Sequence, residues 1–94
     1  MFKLIVRTTT HCDFCERAKL LLSNKGIDFV TEELDVDNIP ALQEKFPMLQ
    51  RTVPMVFEVT ELGETYIGGY TELENKIKLQ EQANMLTEVT NFEL

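Results

Sequence analysis

Phe2-Lys3-Leu4-Ile5-Val6-Arg7-Thr8-Thr9-Thr10-His11-Cys12-Asp13-Phe14-Cys15-Glu16-Arg17-Ala18-Lys19-Leu20-Leu21-Leu22 joins two hydrophobic periodicities. Phe2 to Thr8 alternates and is rich in aliphatic residues, which predicts a strand. From Asp13 to about Asn24, Phe14, Ala18, Leu21 and Leu22 fall at i, i+4, i+7 and i+8, the spacing of one helical face. The only two cysteines, Cys12 and Cys15, stand where one pattern becomes the other. That position puts the first sulfur at the positive end of a helix, where a thiolate is stabilised. The second sulfur is one turn on. Residues at i and i+3 of a helix have α-carbons roughly 5 to 6 Å apart, within the reach of a disulfide.

The remaining elements follow from punctuation. Gly26 predicts a left-handed cap for the first helix, and Ile27 to Leu34 a second strand. Pro40 to Phe46 predicts a short helix with proline in its first turn and Pro47 blocking continuation. Met55 to Thr60 and Thr65 to Ile67 form a hairpin around Glu61-Leu62-Gly63-Glu64. After Gly68-Gly69, a third helix is expected from about Glu72 to Glu88, opened by a Thr71/Glu74 capping box. Leu73, Ile77, Met85, Leu86 and Val89 are its expected buried face, and Phe29, Phe46 and Phe57 are expected in the core. The order is β-α-β-α-β-β-α, an α/β fold. Helical crossovers make the first two strands parallel, and the hairpin adds an antiparallel pair. The expectation is a mixed four-stranded sheet with three helices, spanning residues 1–94 as one domain.

Composition narrows the chemistry. With 44% hydrophobic residues in 94, the chain can bury a core without disulfide staples. Cysteines three apart cannot staple distant segments in any case. No signal peptide and no run of about 20 apolar residues is visible, so a cytoplasmic, membrane-free protein is expected. There a close cysteine pair is redox-active or metal-binding rather than structural. The net charge of −7, with nine basic residues scattered along the chain, argues against nucleic acid as a partner.

For the pair itself, free amides in the first helical turn favour Cys12 as the attacking thiolate and Cys15 as the resolving thiol. Asp13 opposes ionisation of Cys12, and a protonated His11 would favour it. A zinc half-site with His11 and two unrelated thiols are the other readings of the pair. No metal is expected, because zinc generally wants four ligands.

Cys12-Asp13-Phe14-Cys15-Glu16-Arg17-Ala18-Lys19-Leu20-Leu21-Leu22-Ser23-Asn24-Lys25-Gly26, then Arg51-Thr52-Val53-Pro54, then Gly68-Gly69-Tyr70 occur in the order and spacing that resemble the dithiol glutaredoxins, small proteins of thioredoxin-like fold. The resemblance spans Phe2 to about Leu79. It implies reduction of protein disulfides and glutathione mixed disulfides by Cys12 and Cys15, with glutathione as reductant. It implies a cis bond before Pro54, with the Val53 backbone turned toward glutathione as a strand partner. It assigns glutathione contacts to Arg51, Thr52, Val53, Pro54, Gly69, Tyr70, Thr71 and Glu72. The γ-glutamyl carboxylate would meet the amides of the helix near Thr71, and the glycine carboxylate would meet Arg51.

The sequence departs from the family in places. Asp13 replaces a common proline, Phe14 a common tyrosine, and Thr9 a common lysine. Implied partners are disulfide-bearing or glutathionylated proteins, ribonucleotide reductase among them, and the expected state is a monomer. Two further readings stay open. One is a [2Fe–2S] module ligated by Cys12 and glutathione from two protomers. The other is a thioredoxin-like donor recharged by a flavin reductase, which the absence of tryptophan before Cys12 disfavours.

Overall fold

The computed structural model describes the backbone of residues 1–93 and the side chains of residues 1–82. Four strands, β1 (Phe2–Val6), β2 (Phe29–Glu33), β3 (Met55–Thr60) and β4 (Gly63–Gly68), form one sheet in the order β2-β1-β3-β4. β1 pairs parallel with β2 and antiparallel with β3, and β3 pairs antiparallel with β4. Helices α1 (Asp13–Asn24), α2 (Ile39–Lys45) and α3 (Tyr70–Glu93) complete the expected order and the thioredoxin-like architecture.

β1 is central and buried on both faces, which is why its aliphatic residues run almost without interruption. Phe2, Leu4 and Val6 face one core with Cys15, Ala18 and Leu22 of α1 and Leu73 and Ile77 of α3. Ile5 faces a second core with Leu49, Met55 and Phe57. Lys3, on that second face, reaches Glu64 at 2.9 Å and lies over the Phe57 ring, so its charge is paired where it is half-buried. Phe57 is fully buried, while Phe29 and Phe46 are half-buried against the two cores.

α1 and β3 have the expected bounds. α1 ends in a Schellman motif: the Ile27 N–H donates to Leu22 O at 3.0 Å and the Gly26 N–H to Ser23 O at 3.1 Å. Gly26 takes the left-handed conformation this requires, φ +67°. That motif uses Ile27, so β2 starts later than expected, at Phe29. β1 stops at Val6 because the Thr8 N–H and hydroxyl turn to the Glu33 carboxylate instead of continuing the ladder. These same bonds hold the Glu33 carboxyl below its usual pKa.

Four further differences from the expected elements stand out. A 3-10 turn, Val36–Asn38, precedes α2, capped by Asp35 Oδ1 accepting from the Asp37 N–H at 3.0 Å. β4 is longer than Thr65 to Ile67, because a two-residue turn at Glu61-Leu62 pairs Gly63 with Thr60. α3 begins at Tyr70, so Thr71 lies inside the helix and the capping box does not form. The Leu73 N–H donates to Gly69 O at 3.1 Å, making Gly69 the cap residue. Finally, Phe14 is 52% exposed and does not share the buried face of α1. That stripe is Cys15, Ala18 and Leu22, and Phe14 is turned about 100° away from Cys15. Leu73 and Ile77 are buried as expected, while Met85, Leu86 and Val89 lie outside the described side chains.

Candidate active site

Cys12 is the N-cap of α1, with extended backbone at φ −139° and ψ 98°. A cap residue usually offers an oxygen to the free amides of the first turn. Here a sulfur takes that place, and Cys12 Sγ accepts from the Cys15 N–H at 3.2 Å. Cys12 and Cys15 form a disulfide, with α-carbons 5.3 Å apart. Their exposures differ. Cys15 is 1% exposed and belongs to the core between sheet and helices, whereas Cys12 is half-buried at its margin. An incoming disulfide therefore meets Cys12 first.

The flanking side chains pair with each other. His11 Nε2 lies 2.5 Å from Asp13 Oδ1, and both side chains are largely exposed. Protonated His11 offsets the carboxylate charge beside Cys12.

The Phe14 ring faces outward from α1, its centroid 6.0 Å from that of the Tyr70 ring of α3 and 5.3 Å from the Arg17 guanidinium carbon. Tyr70 OH donates to Glu74 Oε2 at 2.9 Å. That bond, with burial and the carboxylate charge behind it, pushes the Tyr70 hydroxyl up. The same bond, aided by Lys78, holds the Glu74 carboxyl down. Glu74, expected to cap the helix, instead fixes the Tyr70 ring.

Phe14 and Tyr70 bound a groove of about 380 Å³. Its walls include Thr52, Val53 and Pro54 on one side and Gly69, Thr71 and Glu72 on the other. The Val53–Pro54 peptide is cis. Gly69 approaches the Pro54 carbonyl: a Cβ built there would lie 3.8 Å from it. Gly68, with φ +137°, packs under Glu72, and a Cβ there would fall 2.7 Å from Glu72 Cγ. The Gly-Gly pair thus lets the start of α3 close against the Thr52-Val53-Pro54 loop.

Of the residues assigned from sequence, Thr52, Val53, Pro54, Gly69, Tyr70, Thr71 and Glu72 meet in this groove. Arg51 does not line it. Arg51 lines a separate cavity across Thr52 and Val53. Sequence reasoning missed Gln50, which also lines the groove and whose N–H donates to Tyr66 OH at 3.3 Å. It also missed the Tyr70–Glu74 bond, although the i, i+4 spacing on a helix allows it.

The glutaredoxin family model matches residues 4–61. A glutaredoxin of Pseudomonas aeruginosa is 36% identical over 72 residues, covering 74% of this chain and 79% of that protein. Glutaredoxin 3 of Escherichia coli K12 is 36% identical over 77 residues, covering 78% and 83%. A glutaredoxin of Neisseria meningitidis serogroup A is 34% identical over 80 residues, covering 83% and 85%. With its cysteine pair closed at the head of α1, the chain belongs to the glutaredoxin family and is a thiol–disulfide oxidoreductase.

Proposed function

We propose that this oxidoreductase is glutathione-dependent and reduces protein disulfides and glutathione mixed disulfides. The observation that carries the reading is the groove beside the Cys12–Cys15 pair, walled by seven of the residues expected to hold glutathione. A tripeptide seated there would have its sulfur toward Cys12. Its backbone would pair with Val53, and its γ-glutamyl carboxylate would meet the amides at the start of α3. Arg51 would reach the glycine carboxylate where the ligand extends over Thr52 and Val53.

In the reaction, Cys12 thiolate attacks one sulfur of the target disulfide, and the other sulfur leaves as a thiolate that takes a proton from water. Cys15, deprotonated, then attacks Cys12 Sγ and displaces the second target sulfur. The target gains two electrons and two protons, and the protein is left as the Cys12–Cys15 disulfide. One glutathione thiolate opens that bond to give glutathionylated Cys12, and a second displaces it as glutathione disulfide. For a glutathionylated target, Cys12 alone suffices: it takes the glutathione and frees the target thiol.

The exposure difference supports this order, since the half-buried sulfur attacks and the buried one resolves. Residues 1–94 would act as one monomeric domain in the cytoplasm, with ribonucleotide reductase a candidate client. The test is a glutathione-coupled assay on a small glutathione mixed disulfide. Cys12→Ser should abolish turnover, and Cys15→Ser should retain part of it. Equal loss in both would contradict the assigned roles, and no rate with glutathione as reductant would contradict the dependence.

A further inference from the structure

The second cavity, about 440 Å³, opens across Thr52 and Val53 from the groove and shares only those two lining residues with it. Arg7, just past the end of β1, and Arg51 contribute its cationic part. Leu34, Val36 and Ile39 contribute an apolar part. No carboxylate lines it. Neither arginine is in an ion pair among the described residues, as is also true of Arg17 and Lys45, whereas Lys3, Lys19, Lys25, Lys76 and Lys78 all are. Of the carboxylates near it in the chain, Glu33 feels the Arg7 charge but is held by three bonds from Thr8, and Asp35, between Leu34 and Val36, accepts from the Asp37 N–H. Val36 is 54% exposed, an apolar side chain with no cover. In a chain of net charge −7, these two guanidiniums lie beside bare aliphatic surface.

We propose that this cavity is a substrate-docking subsite for an acidic, apolar segment beside the target cysteine of a protein substrate. The proposal rests on the thiol–disulfide reading above and adds a substrate class to it. Glutathione is three residues long and would end at Arg51; with a protein substrate in its place, Arg51 is open to a substrate carboxylate and Arg7 lies beyond it. A longer chain with its sulfur at Cys12 and its backbone along Val53 continues past Thr52, at about 3.3 Å per residue when extended. Two or three residues from its cysteine, such a chain enters the Arg7/Arg51 cavity. There a carboxylate meets two unpaired guanidiniums, which accept carboxylates in bidentate geometry. A neighbouring aliphatic side chain covers Val36 and Leu34. Complementary charge of this kind selects among partners and speeds encounter more than it tightens binding.

The experiment uses two synthetic peptides, each with its central cysteine closed into an intramolecular disulfide, so that the peptide and not glutathione meets Cys12 first. One carries Glu and Leu on both flanks; the other has Gln in place of each Glu. The full chain should turn over the acidic peptide about two- to fivefold faster in kcat/KM, and the difference should shrink in 1 M salt. Arg7→Gln should remove most of that preference, and Val36→Glu should reverse it. Both should leave turnover of a small glutathione mixed disulfide unchanged.

Equal rates for the two peptides, or a preference untouched by both substitutions, would overturn the subsite. Loss of the small-substrate rate in the unsubstituted chain would instead overturn the glutathione reading. A readout free of chemistry is titration of the serine versions of both peptides onto isotope-labelled protein. Amide shifts at Arg7, Leu34 and Val36 with the acidic peptide support the subsite. Shifts confined to the Thr52–Glu72 groove with both peptides contradict it.

Discussion

Replacing Gly68 with alanine probes the joint between β4 and α3 that shapes the groove. Gly68 has φ +137°, a region that costs an L-residue about 1–3 kcal/mol. A Cβ there would lie 2.7 Å from Glu72 Cγ and 2.9 Å from its Cβ and Cδ. The Cγ and Cδ can rotate away, but the Cβ moves only with the first turn of α3. That overpacking adds about 1–3 kcal/mol. Gly63 isolates the two effects. Its φ is +123°, and a Cβ there meets nothing within 4 Å. Gly63→Ala should therefore show the backbone cost alone, and Gly68→Ala the sum. At about 4–8 °C per kcal/mol for a domain of this size, Gly68→Ala should melt at least ~4 °C below Gly63→Ala by calorimetry. Because Thr71 and Glu72 line the groove, it should also raise KM for a small glutathione mixed disulfide, while Gly63→Ala should not. Coincident melting temperatures and unchanged KM would show that Gly68 is not the joint described here.

Two further outcomes are expected. Glu74 and Glu33 have carboxyls held below the usual range by bonds from Tyr70 and Thr8. A depressed carboxyl stabilises the fold above its unfolded pKa, and the contribution is lost as pH falls through the lower folded value. Thermal melts from pH 7 to pH 3 should therefore fall more steeply for the unsubstituted chain than for Glu74→Gln, and parallel curves would count against the Tyr70–Glu74 bond. Leu73 is fully buried and Leu62 fully exposed. Leu73→Ala should cost about 2–5 kcal/mol in urea unfolding and Leu62→Ala under about 0.5 kcal/mol, and similar costs would misplace the core.

Local rules read well where one signal dominated. The helix from Asp13 to Asn24 has a change of period at its start and a glycine at its end, and both bounds emerged. Met55 to Thr60 followed a proline and preceded a turn, and it too emerged whole. The reading failed where two local signals competed. Thr71 with Glu74 makes a capping pattern, but Tyr70 can continue the helix backward once Gly69 supplies the cap carbonyl, and tertiary packing against Pro54 chose that start. Asp35 was a readable cap for the 3-10 turn, hidden by the stronger signal of Pro40. Phe14 fitted a helical face by spacing. Only the placement of α3 shows that Cys15 takes the buried position while Phe14 lies tilted beside Tyr70. The direction of Arg51 was not legible at all, because alternation within a short loop does not fix the side on which a side chain emerges.

The chemistry rests on Cys12 being the more easily ionised sulfur. It sits at the N-terminus of α1, a position worth about 0.3–2 kcal/mol to an anion, and in the disulfide form its sulfur accepts from the Cys15 N–H. Each 1.4 kcal/mol is about tenfold in thiolate population. Alkylation of the reduced chain by iodoacetamide across a pH series, with each cysteine quantified by peptide mass, compares the two directly. Cys12 should react about tenfold or more faster than Cys15 at pH 7. Its rate should level off well below the range of an ordinary thiol, about 8.5. Equal rates at both cysteines, each still rising through that range, would contradict the mechanism at its first step.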